Sequence, residues 1–357
     1  ERRKRAATAG VSGAAQTAPQ LTRLRPPAIH RSHMRAIVVD HWMEPRELVV
    51  RDAPEPEISA GTLGIDVRAA GCNFFDLLMV QGKYQVKPPF PFIPGAELAG
   101  VVREVGPGVE GFRVGDRILA STSLGGFAER ATVAAKAAYR MPDAMTFPEA
   151  AGFPIVYPTS YAGLVFRAHL QARETLLVHA GAGGVGIAAV QIGKALGARV
   201  IATAGSPEKC EVARRAGADL AIDYRDAGWA DQVRAATDGR GADVIYDSVG
   251  GDITDASLKC IAWNGRLLVI GFASGVIPAV KLNRVLLKNI AIVGLHWGAH
   301  VMHEPARIPE TFEALFQLYA AGKIPPVVYR TYPLAELPAA LAALGGRATY
   351  GKVVVEP

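Results

Sequence analysis

Between residues 34 and about 140 the apolar residues come in short runs broken by glycine, proline or charge. Six of these runs have the length and β-branched character of strands: 36–39, 48–50, 62–69, 100–105, 117–120 and 127–133. This pattern predicts a mostly β domain with few helices. Residues 147–168 mix helical apolar spacing with Pro154 and Pro158, which suits a connection between domains. Beyond residue 175 the rhythm changes to an apolar run (175–180), a glycine-rich turn (181–186), helical spacing (187–196) and a second apolar run (199–203). That alternation predicts a parallel, doubly wound α/β sheet. It continues with a helix over 207–216 and strands over 220–222, 243–246, 266–271 and 290–295. A helix over 309–321 and a closing strand over 352–355 follow.

A chain of 357 residues is long enough for two domains, each with its own core. No apolar run reaches the roughly 18 residues that a membrane-spanning helix requires. The net charge of +6 is confined to residues 1–33, which hold seven basic residues against Glu1 and leave 32 of each sign in the rest. The body therefore offers no basic face for nucleic acid by composition. Arg-rich and acid-poor, residues 1–33 read as a targeting presequence or as a disordered extension ahead of Met34. Pro19, Pro26 and Pro27 break any amphipathic helix there and favour the extension. Cys72, Cys210 and Cys260 are too few and too scattered for a disulfide framework or a Cys-x-x-Cys clamp, which fits a reducing cytoplasm.

The run Gly181-Ala182-Gly183-Gly184-Val185-Gly186 fits G-x-G-x-x-G. The string alone is weak, because glycines there can serve only close packing of a helix on a strand. Its context is stronger: an apolar strand precedes it, a helix follows, and a second strand completes a unit of βαβ length. Such a turn presents free N–H groups and a helix dipole to a pyrophosphate. NAD sites place an acid about 20 residues past the first glycine to bond the ribose 2′-hydroxyl. Here that strand ends Ala202-Thr203-Ala204-Gly205-Ser206, so no carboxylate opposes a 2′-phosphate and the expected cofactor is NADPH.

From Met34 to Pro357 the chain resembles the zinc-free, zeta-crystallin-like quinone oxidoreductases of the medium-chain dehydrogenase/reductase superfamily. The resemblance implies a Rossmann domain inserted in a mostly β, GroES-like catalytic domain. The implied limits are an extension over 1–33, a catalytic domain over 34–156 and 295–357, and an NADPH-binding domain over 157–294. It assigns the 2′-phosphate to Gly205, Ser206 and Lys209, to Tyr224 in Ile222-Asp223-Tyr224-Arg225, and to Arg347 in Arg347-Ala348-Thr349. In zinc-bearing members a cysteine and a histidine ligate the metal. The matching stretches here, Ala69-Ala70-Gly71-Cys72-Asn73 and Gly95-Ala96-Glu97, put Asn73 and Ala96 at those positions. No zinc site of three protein ligands is therefore expected.

Asn73-Phe74-Phe75-Asp76 and Gly82-Lys83-Tyr84 resemble the family's Asn-Phe-x-Asp and Gly-x-Tyr motifs. They imply that Asn73 and Asp76 organise the nicotinamide end of the cleft and that Tyr84 hydrogen-bonds or protonates the acceptor oxygen. The plainer alternatives are helix capping for Asn73 and Asp76 and packing for Tyr84. Some relatives carry a second tyrosine where this chain has Leu78. Ser248, Phe272 and Ser274 end strands of the nucleotide domain, where an open α/β sheet binds its ligand. They are expected at the nicotinamide half, with Thr159 a further cofactor candidate. Glu97 and Asp116 are expected to anchor loops, and His296, Trp297 and His300 stand near the mouth or serve structure.

The leading reading is a zinc-independent reductase that passes a hydride from NADPH to a quinone or similar electrophile. Enoyl-thioester or alkenal double-bond reduction is the nearest alternative, and a non-catalytic nucleotide- or RNA-binding protein is a second. A homodimer through the edge strand of the nucleotide sheet is implied by the resemblance, with the 290–295 run a contributor.

Overall fold

The structure is a computed structural model that describes residues 32–357. The expected extension lies outside the described residues over 1–31. His33, placed in that extension by the sequence reading, instead opens the strand His33–Ile37 and pairs with Pro54.

Six strands form a parallel sheet in the spatial order Leu220–Asp223, Arg199–Ala204, Thr175–Val178, Ala242–Asp247, Ile261–Val269, Ala291–Gly294. Leu176, Leu177 and Val178 are wholly buried, as the middle of a sheet covered on both faces requires. The chain runs outward in one direction from Thr175–Val178, then returns to lay Ala242–Asp247 on the other side. The switch point falls between these two strands, and their carboxyl ends border the crevice where such sheets bind ligands. The helix Gly184–Ala195 starts there.

A second, largely antiparallel sheet has the order Val328–Pro333, Lys352–Glu356, Thr62–Cys72, Glu97–Val105, Arg117–Ser121, Ala138–Arg140, and Arg130–Ala134 also pairs with Thr62–Cys72. The last strand of the chain thus sits beside one of the first, with Val353 opposite Cys72 and Val354 opposite Gly71. Val353, Val354 and Val355 are fully buried, so the closing strand is a central one.

Several sequence limits move. The 48–50 run is replaced by a turn over Pro45–Glu47 and a strand over Val50–Pro54, because Pro45 takes the first helical position, where its fixed φ fits. The 127–133 run becomes a strand only at Arg130–Ala134, while Ala128 forms a single bridge to Ala36. The 266–271 run is the end of a longer strand, Ile261–Val269. The 147–168 segment holds the helices Phe147–Ala151 and Val156–Tyr161, the second running into π-helical turns over Ala162–Arg167. Helices not foreseen are Trp229–Ala236, Asp252–Cys260, Leu282–Lys288 and Leu337–Gly345. No helix among the described residues is long and apolar enough to cross a membrane.

Candidate active site

The glycine turn follows the buried strand Thr175–Val178 and opens Gly184–Ala195 without a side-chain cap, so the helix's first N–H groups face the crevice. A β-carbon built on Gly186 would lie 2.1 Å from the Ala180 carbonyl oxygen, so only glycine lets the helix start this close to the strand. Gly181, Gly183, Gly184 and Val185 complete the turn. Val185 is half-buried, and its carbonyl accepts a hydrogen bond from Ser160. Thr159, half-buried, is carried beside this turn by the helix Val156–Tyr161, which packs on Gly184–Ala195.

At the end of the next strand the structure gathers the residues expected to receive a phosphate. The Tyr224 hydroxyl lies against Gly205, 2.5 Å from where a β-carbon there would stand. Lys209 Nζ donates to the Arg347 carbonyl at 2.5 Å, and the Arg347 guanidinium donates to Ala273 O at 3.0 Å. Burial, and then the Arg347 charge, push the Lys209 ammonium below its usual range. Neither cation has a carboxylate partner among the described residues, so the pair lacks an anion. Ser206 Oγ accepts from Lys209 N at 3.2 Å, which makes Ser206 the cap of the helix Pro207–Arg215. Its oxygen is thus used for capping, and its hydroxyl bonds the Glu208 carboxylate, which the Glu208 N–H and then that bond help to hold below its usual range.

On the other side of the switch point Asp247, which the sequence placed at a strand end without a role, shapes the loop after its strand. Its carboxylate accepts from Val249 N at 2.9 Å, from Gly250 N at 3.0 Å and from Thr254. Ser248 is buried at the start of this loop. Phe272 is 38% exposed and lines a cleft of about 350 Å³ with Ile270, Gly271, Leu295 and His296. The Ser274 hydroxyl closes its own turn by exchanging hydrogen bonds with Val276. Of the aromatic and histidine candidates, His296 reaches this cleft. His300 is buried, bonds the carbonyls of His296 and Trp297, and stacks obliquely on Trp297, so it holds the turn together.

The motif residues of the β domain converge behind the crevice. Asn73 precedes the helix Phe74–Val80, and its N–H donates to Asp76 Oδ2 at 2.7 Å, so Asp76 caps back onto the start of the helix. The motif does more than cap. Asn73 Nδ2 donates to Glu97 Oε1 at 2.9 Å, and Ile155 N donates to Glu97 Oε2 at 3.0 Å. Lys352 Nζ donates to Glu97 Oε1 at 2.7 Å, to Asn73 Oδ1 at 2.8 Å and to Cys72 O at 2.8 Å. Glu97 and Asp76 are fully buried and Lys352 is 6% exposed. Among the described residues Asp76 Oδ1 has no hydrogen-bond partner, and burial pushes the Asp76 carboxyl up to about 7 against the pull of the Asn73 N–H and Lys352. Tyr84, half-buried, stacks on Phe75 at 5.4 Å, and its phenol is raised by burial and by the nearby Asp76 charge. Asp116 is apart from this cluster and anchors a surface turn to Arg140 and Arg113. Lys352 had no sequence signal beyond its place in the closing strand.

Two family models match the chain: an alcohol dehydrogenase GroES-like domain over residues 59–143 and a zinc-binding dehydrogenase over residues 184–320. The residues present do not fit a zinc ion. Among the described residues no three His, Cys, Asp or Glu side chains gather as a ligand set. Asn73 and Glu97 are bonded to the Lys352 ammonium, and burial raises the Cys72 thiol far above its ordinary range, against formation of the thiolate that metals bind.

A quinone oxidoreductase-like protein 2 homolog from Nematostella vectensis is 39% identical over 329 residues, 91% of this chain and 89% of its own length. Among solved structures, a mycobacterial protein complexed with NADPH superposes with a TM-score of 0.83 at 34% identity, covering 91% of this chain and all of its own. The Escherichia coli quinone oxidoreductase complexed with NADPH gives 0.82 at 29% identity, covering 91% and 99%. The glycine turn at the switch point, the β domain behind it and these likenesses along nine-tenths of its length agree: the chain belongs to the medium-chain dehydrogenase/reductase family, among its quinone oxidoreductase-like members.

Proposed function

We propose that the protein is a zinc-independent reductase that uses NADPH to reduce a quinone or a similarly electrophilic acceptor. The observation that carries the cofactor choice is the pair of cations, Lys209 and Arg347, joined beside Tyr224 and Gly205 without an acidic partner among the described residues. A 2′-phosphate supplies the missing charge and accepts from an ammonium and a guanidinium fork. The glycine turn takes the pyrophosphate, and the Asp247-shaped loop with Phe272 receives the nicotinamide end. Thr159, Ser248 and Ser274 complete that wall.

When bound, NADPH supplies a hydride. The chain positions the acceptor in a pocket that excludes water and supplies a proton. Asn73 fixes the nicotinamide end, and Asp76 holds Asn73 through its backbone N–H. Tyr84 presents a neutral phenol, kept protonated by burial, to the acceptor oxygen. The phenol would supply the one proton that balances the hydride in the reduced acceptor, and solvent would restore it. The resulting division of labour is a catalytic domain over 34–156 and 295–357 and a nucleotide domain over 157–294.

Two copies of the chain are the expected assembly. The strand Ala291–Gly294 is an open sheet edge, and Leu282, Leu286 and Leu287 beside it are 78%, 78% and 71% exposed. Three free, buried cysteines suit a reducing compartment such as the cytoplasm. The deciding experiment follows NADPH oxidation by its near-ultraviolet absorbance with a panel of quinones, enones and a crotonyl thioester, with NADH as control. Quinone turnover with NADPH favoured supports the reading. Turnover confined to the thioester overturns the quinone assignment, and loss of activity on metal removal overturns zinc independence.

A further inference from the structure

A lysine is rarely buried, because an ammonium loses several kcal/mol of hydration on leaving water. Lys352 is buried all the same, and both of its ends are tied down. On the backbone side, Gly351 N donates to Ala182 O at 2.8 Å, Gly351 bridges Gly183, and Lys352 N donates to Val327 O at 2.9 Å. The residue therefore starts from the glycine turn itself. Its aliphatic stem runs through a slot between two glycines. A β-carbon on Gly152 would lie 2.9 Å from its Cγ, and one on Gly184 would lie 3.1 Å from its Cδ. At the far end all three ammonium hydrogens are used, on Cys72 O, Asn73 Oδ1 and Glu97 Oε1.

This arrangement decides how Asn73 points. With Oδ1 accepting from the ammonium and Nδ2 donating to Glu97, a flipped amide would set its NH₂ against Lys352 and its oxygen against a carboxylate. One Nδ2 hydrogen remains for a ligand. A single side chain thus spans from the turn that receives the pyrophosphate to the amide that faces the nicotinamide end. We propose that Lys352 is a positioning residue: its stem, seated on the glycine-turn helix, and its ammonium, bonded to Glu97 and Asn73, couple occupation of the glycine turn to the orientation of the Asn73 amide. The proposal rests on the NADPH reading above.

Two variants of the full chain test it. Gly152→Ala puts a methyl group against the Lys352 stem while leaving every charge in place. Lys352→Met with Glu97→Gln removes both buried charges together. For each, NADPH affinity is titrated, the emission of bound NADPH is recorded as a signature of the nicotinamide's surroundings, and hydride transfer is timed in a single turnover. The expected result is affinity within about 3-fold of wild type and an altered emission in both. Transfer is expected to slow by about 10-fold in Gly152→Ala and about 100-fold in the double variant, the loss that misplacement by an ångström produces. Wild-type emission and rate in Gly152→Ala would overturn the proposal, and this variant decides the matter if the double variant does not fold. Parallel losses of affinity and rate would also overturn it, by making Lys352 an anchor for the dinucleotide. A wild-type chain that binds NADPH but reduces no quinone refutes the acceptor assignment alone, and the emission comparison still decides the role of Lys352.

Discussion

The Lys352 ammonium lies 2.7 Å from the Glu97 carboxylate, and the two side chains are 7% and 0% exposed although 255 residues separate them in the chain. Removing one partner of such a pair leaves a bare charge out of water, which costs about 3–5 kcal/mol, whereas removing both costs much less. Lys352→Met and Glu97→Gln singly are each expected to destabilise the protein by roughly that amount, and the double variant by well under the sum. Urea unfolding of the four proteins measures the coupling. Additive losses would mean that the pair is not closed.

Asp76 gives stability a particular pH dependence. The native carboxyl keeps its proton up to about 7, whereas the unfolded one releases it near 3.8. Between these values the native state binds more protons than the unfolded state, so this group's contribution to stability is fully present at low pH and is lost as pH rises through the window. Asp76→Asn keeps an oxygen for the Asn73 N–H and has no charge to bury. Its stability relative to wild type is therefore expected to increase from pH 4 to pH 7 and to level off above. Denaturation midpoints at a series of pH values check the slope and its sign.

The Lys209 and Arg347 cations are expected to set NADPH preference. Charge-assisted hydrogen bonds contribute about 1.5–3 kcal/mol each, so Lys209→Ala and Arg347→Ala should each weaken NADPH binding by roughly 10- to 100-fold. NADH binding should change by less than about 3-fold, because it lacks the phosphate they face. Calorimetric titration with both cofactors separates the two effects. Equal losses for NADPH and NADH would show that the cations hold the loop rather than the phosphate.

Tyr84→Phe removes the proposed proton donor and keeps the stacking on Phe75. General-acid catalysis contributes 10²–10⁴-fold, so kcat with quinones is expected to fall by about 100-fold or more, with NADPH affinity unchanged. The raised phenol implies that this group keeps its proton to higher pH than an ordinary tyrosine, so wild-type activity should not fall on its account where free phenols ionise. Steady-state kinetics across pH test both statements.

Gly186→Ala should abolish dinucleotide binding, since its β-carbon would stand 2.1 Å from a backbone oxygen and the helix start must move to admit it. A loss of about 1–3 kcal/mol in stability, typical of overpacking, is expected with it. Thermal unfolding with and without NADPH shows whether the cofactor still stabilises the variant.

What the sequence determined was whatever depends on neighbours in the chain. The glycine turn was legible because its spacing, its preceding strand and its following helix lie within one continuous stretch, and the backbone rules that place them there are local. The absence of an acid at the strand end Ala202-Thr203-Ala204-Gly205-Ser206 was equally plain, as were Asn73 and Asp76 at the start of a helix. Tertiary structure alone decided the surroundings of Lys352. Lys352 looks like any polar first residue of a strand until the closing strand is laid beside Thr62–Cys72, which brings it to Asn73 across 279 positions. The Ser206 hydroxyl is drawn into a cap and that of Ser274 into its own turn by bond geometry that residue type does not fix. Asp247 organises its loop through the N–H groups of Val249 and Gly250, two and three residues on, a local turn that its residue type favours. A buried charge is stable only where its partners converge on it, and partners drawn from distant segments are chosen by the packing of sheets rather than by any local pattern.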